Sequence, residues 1–221
     1  MDSINYTFTT YWTLAVNIAF MVGTLWLLKK GNASSKLKTL FGLFSIVWIA
    51  FIYSVVNNKL IISSDISGGI FYAITLFSAT LVLLFFFRSA LKNVFDNIKQ
   101  EDIQWVQGMR VFVACGFLME GVLGVIPGWF SIMDGFLHVS SGFLALVAAI
   151  AVLENSKIKN SLLWVANLVG LIDIIVLVTS INFIVWNDLG PFHNMQTVVF
   201  YTGVLLLWFH FISILKLLKN N

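Results

Sequence analysis

Seven apolar runs of bilayer-spanning length occupy most of this chain, at about residues 11–28, 39–57, 66–87, 105–126, 131–153, 161–186 and 196–215. A hydrocarbon core needs roughly 20 apolar residues of helix to cross it, so each run is long enough. Lipid offers no hydrogen bonds to the backbone, and a helix is the structure that satisfies such a run internally. The runs exceed the length of membrane strands and lack the alternation that a barrel requires. The sequence therefore predicts an all-α fold: one integral membrane domain over residues 1–221, built as a polytopic seven-transmembrane-helix bundle. Composition agrees, with 10% charged residues against the roughly 25% that a soluble domain carries.

The loops predict orientation. Lys29, Lys30, Lys36, Lys38, Arg88, Lys92, Lys99, Lys157, Lys159, Lys216 and Lys219 all fall on one side of this arrangement, and Lys59 falls on the other. Basic residues in short loops mark the cytoplasmic face, so the N-terminus is expected outside and the C-terminus inside. Trp12, Trp129 and Trp186 then belong near the outer interface, with Trp105 and Trp164 near the inner one. The stretch before the first run has no Lys or Arg, and Lys29 and Lys30 follow it, so that run reads as a retained helix and not a cleaved leader. A net charge of +3 on such a chain implies contact with anionic membrane lipids, and no nucleic-acid partner is expected. Asn93–Gln104 mixes Val94, Phe95, Ile98 and Ile103 with charges and reads either as a short helix in the inner interface or as a solvated loop.

Ionisable residues inside hydrocarbon cost about 2.5–3.5 kcal/mol each on insertion scales, so the few present are the candidate site. They are Glu120, Asp134, His138, Asp173 and His210, all in the C-terminal four runs. Asp134, His138, Ser141, Ala145 and Ala149 recur at helical spacing, which sets polar and small groups on one stripe. Depth counting places Glu120, Asp134 and His138 toward the outer mouth, Asp173 near the midplane and His210 deeper. Arg110 is expected to reach the inner headgroups. As metal ligands, His138 and His193 are the candidates beside Asp134 and Glu120, but no compact ligand motif accompanies them, and the sequence leaves any cofactor open. Cys115 is alone, which excludes an internal disulfide.

A retinal-binding seven-helix protein needs a lysine in the middle of its last helix, and here Lys216 and Lys219 stand only at the end. A zinc hydrolase of the adiponectin-receptor type carries a late HxxxH pair, and His210 has Leu206 and Ile214 at those positions. In the order Arg110, Gly124-x-x-Pro127, Asp134, Asp173 and His210, the C-terminal half resembles a group of uncharacterised bacterial seven-helix membrane proteins. That resemblance implies the bacterial inner membrane as location and implies no reaction. The function expected is the binding or transport of a cation, a proton or a small polar or amphiphilic ligand through an outward-facing polar pocket. A lipid-directed membrane enzyme and a structural membrane subunit are the competing classes.

Overall fold

The computed structural model describes residues 7–57, 92–185, 188 and 195–219. Within these it is all-α. Five helices are long and apolar enough to cross a membrane: Phe8–Lys30, Ser35–Ser54, Gly128–Leu153, Lys159–Val185 and Met195–Lys219. The run at 66–87 lies outside the described residues. The run at 105–126 is divided, as set out below.

Helix α1 (Thr7–Lys30) ends where Asn32 takes the left-handed conformation at φ 60°, and the Ala33 amide closes the turn on the Leu28 carbonyl at 2.9 Å. The Ser34 hydroxyl then accepts the Leu37 amide at 3.2 Å, which caps α2 (Ser35–Asn57). The segment expected to lie in the interface or in solvent instead folds inward as α3 (Lys92–Asn97) and the start of α4 (Gln100–Gly108). Val94, Phe95 and Ile98 are buried, and Phe95 meets Trp208 edge-on with centroids 4.5 Å apart. Gly31 makes this docking feasible, because a Cβ there would run into the Val94 backbone and side chain.

Met109 separates α4 from α5 (Arg110–Val122), so the predicted span at 105–126 begins about one turn earlier and is interrupted near its middle. The apolar periodicity understates it because Asp102, Gln104 and Gln107 are polar, yet all three are buried. Gly124, at φ 69°, and Pro127 make the turn into α6 (Gly128–Leu153), as that sequence pair predicts. Helix α6 packs against α4, α5 and α7 (Lys159–Ser180). A π-helical turn, Ile181–Val185, extends α7.

The last span is α8 (Met195–Val198), a π-helical turn Val199–Gly203, and α9 (Val204–Lys219). A π turn diverts backbone carbonyls from their usual i+4 partners. Here side chains of the first two helices take them up: Asn17 Nδ2 donates to the Thr197 carbonyl at 3.2 Å, and Trp48 Nε1 donates to the Phe200 carbonyl at 3.2 Å. Polarity across the bundle is inverted relative to a water-soluble protein. Val47, Val122, Ile132 and Phe136 are exposed, while Asn17, Glu120, Asp134 and Asp173 are fully buried. Hydrocarbon as the surrounding solvent accounts for that inversion.

Candidate functional site

Helical spacing delivers four ionisable side chains to one point in the bundle. Asp134 and His138, four residues apart on α6, share a face. Asp173 comes from the middle of α7 and Arg110 from the first residue of α5. All are buried, with Asp134 and Asp173 at 0%, Arg110 at 1% and His138 at 2% exposure. The Asp173 carboxylate organises the group. Its Oδ2 accepts from His138 Nδ1 at 2.6 Å and from the Ser141 hydroxyl at 2.9 Å, and lies 3.0 Å from Arg110 Nε. The Nε–H does not point along that last contact, so it is an ion pair more than a directed hydrogen bond.

Donor and acceptor chemistry fixes the proton positions. A carboxylate only accepts, so His138 Nδ1 carries a hydrogen. The other ring nitrogen, Nε2, faces Asp134 Oδ2 at 3.5 Å. His138 therefore stands between two carboxylates, with Phe117 edge-on to its ring at 5.3 Å. On the far side of Arg110, Nη1 donates to the Gly170 carbonyl at 3.2 Å and reaches His210 Nε2 at 3.1 Å. Arginine has no acceptor, so His210 Nε2 must present its lone pair. Asn167 Nδ2 is committed to the Leu163 carbonyl at 2.7 Å and the Ser213 hydroxyl at 2.8 Å. Asn167 Oδ1 thus accepts from His210 Nδ1 at 3.1 Å. His210 is a neutral imidazole held at both nitrogens.

Beyond His210 the seam continues without a titratable group. Gln104 Nε2 donates to Ser213 Oγ at 3.0 Å, and that hydroxyl donates to Gln100 Oε1 at 2.8 Å. The lysine-bearing end follows, where Lys219 meets Asp96 at 2.8 Å on the surface.

Four of the five sequence candidates, Asp134, His138, Asp173 and His210, join one connected network. Glu120, fully buried, accepts the Met195 amide at 3.1 Å, which sets a carboxylate at the start of the last span, where a helix N-terminus favours negative charge. His193 lies outside the described residues, and Asp188 is exposed. Arg110 is the main correction: it is at the centre of the network and not at the headgroups, because α4 continues the span by nine residues toward the lysine-bearing side. Asn167, Gln104 and Gln100 were likewise missed, because their partners Ser213 and His210 lie far away in sequence. Among the described residues the network side chains are buried, and a small cavity beside Arg110 and His138 is otherwise lined by apolar groups such as Val113, Phe117 and Leu177.

One ligand atom each from Asp134, His138 and Asp173 lies within 4.8 Å of the others, a donor set that an N/O-liking metal accepts. The fit is poor on charge, since Arg110 already places a cation 3.0 Å from the Asp173 carboxylate.

A family model described as Domain of unknown function (DUF8737) matches residues 69–218. That span covers more than half of the chain and every member of the network, so the chain belongs to this family. No curated protein and no solved structure matches the chain.

Proposed function

We propose that this member of the DUF8737 family is a membrane-spanning protein that binds one exchangeable proton at His138, between Asp134 and Asp173. The place of His138 between two buried carboxylates carries the reading. Arg110 lies 3.0 Å from Asp173, and the two ring nitrogens of His138 face Asp173 and Asp134 at 2.6 and 3.5 Å. As an imidazolium His138 presents an N–H to each carboxylate, and gain or loss of that proton changes the charge held at the centre by one.

The sidedness we propose follows the lysines: seven crossings in a bacterial inner membrane, N-terminus outside, C-terminus in the cytoplasm. A second reading, a structural subunit whose seam only glues helices, draws support from how thoroughly the network is buried. Isotope-edited NMR of the histidine rings in nanodiscs separates the two. The proposal expects the His138 ring to show an imidazolium signal in the folded protein, and this signal to vanish in His138→Gln. A His138 ring that stays neutral throughout favours the subunit. Stoichiometric metal in the purified protein would replace the proton by a metal ion.

A further inference from the structure

The last span is pinned at two levels. Near its start the Met195 amide donates to Glu120 Oε1 at 3.1 Å, and the Thr197 hydroxyl donates to the Tyr53 hydroxyl at 3.3 Å. Further along, His210 stands between Arg110 and Asn167, both at 3.1 Å, and the Ser213 hydroxyl meets Gln104, Gln100 and Asn167 at 2.8–3.0 Å. Gly170 lets the His210 ring sit this close, since a Cβ there would overlap it. Neither level can slide by a residue without losing these bonds.

Between the two levels lies the π-helical turn Val199–Gly203. A turn closed from i to i+5 holds one residue more than the α-helical turn closed from i to i+4. The span thus stores one residue beyond what a plain α-helix needs there. Were the turn to revert to α, everything past it would move by about 1.5 Å along the axis and about 100° around it. Such a move carries His210 away from Arg110.

Asn17, on the first helix, is placed to prevent it. Its Nδ2 donates to the Thr197 carbonyl at 3.2 Å, and its Oδ1 accepts from the Thr202 hydroxyl at 2.8 Å. Residues five apart on an α-helix point about 140° away from each other, whereas in a π turn they lie nearly one above the other. One short side chain spans the pair in the π register and not in the α register. Trp48 supports the same choice. The Val204 amide, which an α-helix would aim at the Phe200 carbonyl, is turned to the Tyr201 carbonyl, and Trp48 Nε1 donates to the Phe200 carbonyl at 3.2 Å. Asn17, Thr197 and Thr202 are all buried, so water does not compete for these bonds. Elsewhere the turn is loosely packed among the described residues. Val198, Val199, Gly203 and Leu206 border the cavity beside Arg110 and His138, and a Cβ at Gly203 would meet the Val198 carbonyl alone, at 3.8 Å.

We propose that Asn17 sets the register of the last span and, through the π turn, holds His210 on Arg110. It is a positioning residue, acting on the charged centre from another helix. This assignment is independent of any proton on His138 and is tested separately from it.

Ring-nitrogen NMR of labelled histidines in nanodiscs, with His210 assigned by its loss in His210→Gln, reads the register. Asn17→Leu is expected to abolish the parent His210 signals. Deleting Gly203, which removes no side chain and closes the turn to α, is expected to leave them in place, and to restore them when combined with Asn17→Leu. Thr202→Val removes one arm of the clamp at constant shape and replaces Asn17→Leu if that protein does not fold. An Asn17 that only glues helices predicts lower stability with unmoved His210 signals, and that result overturns the assignment. A Gly203 deletion that displaces His210 in the otherwise unaltered protein, or that fails to restore it in Asn17→Leu, overturns it too, because the turn would then hold no spare residue.

Discussion

Replacing Asp173 with Asn puts the central ion pair to its most direct test. The substitution keeps size and shape but removes the charge that holds Arg110 Nε at 3.0 Å and His138 Nδ1 at 2.6 Å. Arg110 is 1% exposed and Asp173 is the carboxylate in closest contact with it among the described residues, so its charge would remain buried and less well compensated. Removing one member of a buried pair costs about 3–5 kcal/mol. Part of the loss returns through the retained amide oxygen, which still accepts from Ser141 or His138, so a destabilisation of about 3 kcal/mol is expected. The partner matters more than the absolute figure. Arg110→Gln combined with Asp173→Asn removes both charges and should recover at least about 1 kcal/mol relative to the sum of the single changes. Equilibrium unfolding of the four proteins in mixed detergent micelles measures that coupling. A single Asp173→Asn variant within about 0.5 kcal/mol of the parent, or effects that simply add, would refute the claim that Asp173 and Arg110 form the organising pair.

Two further outcomes follow from close contacts. At Gly170 a Cβ would collide with the His210 ring, so Gly170→Ala should force His210 off Arg110 and Asn167 and cost about 1–3 kcal/mol, readable as a loss of thermal stability and a shift of the His210 ring signals. Glu120→Gln retains an oxygen for the Met195 amide and removes the charge at the helix start, so the same unfolding assay should register about 1 kcal/mol.

How much of this was legible in the residues depends on which physics dominates locally. Where lipid is the solvent, hydrophobic length decides. The run at 131–153 corresponds to Gly128–Leu153, and the run at 161–186 to Lys159–Val185. The same rule fails at Gln104, Gln107 and Arg110, because a polar residue buried by another helix looks on paper like one meeting water or headgroups. The partners of Gln104 and Arg110, Ser213 on α9 and Asp173 on α7, are far away in sequence, so no local periodicity announces them. The four-residue spacing of Asp134 and His138 is local and does place them face to face. That His138 is held closest by Asp173, 35 residues away, is a fact of helix packing alone. The π turn at Val199–Gly203 was equally invisible, since what permits it is supplied by Asn17 and Trp48.

That turn bears on what the smallest working unit of this protein can be. The family match begins at residue 69, whereas the amide and indole groups that quiet the Thr197 and Phe200 carbonyls belong to the first two helices. Trimmed to the matched region, the chain would lose the side-chain donors to both peptide oxygens, a loss that lipid has no means to make good. The opening helix pair is thus a structural lining for the last span's irregular stretch, and the whole polypeptide, not the family segment, is the piece to express.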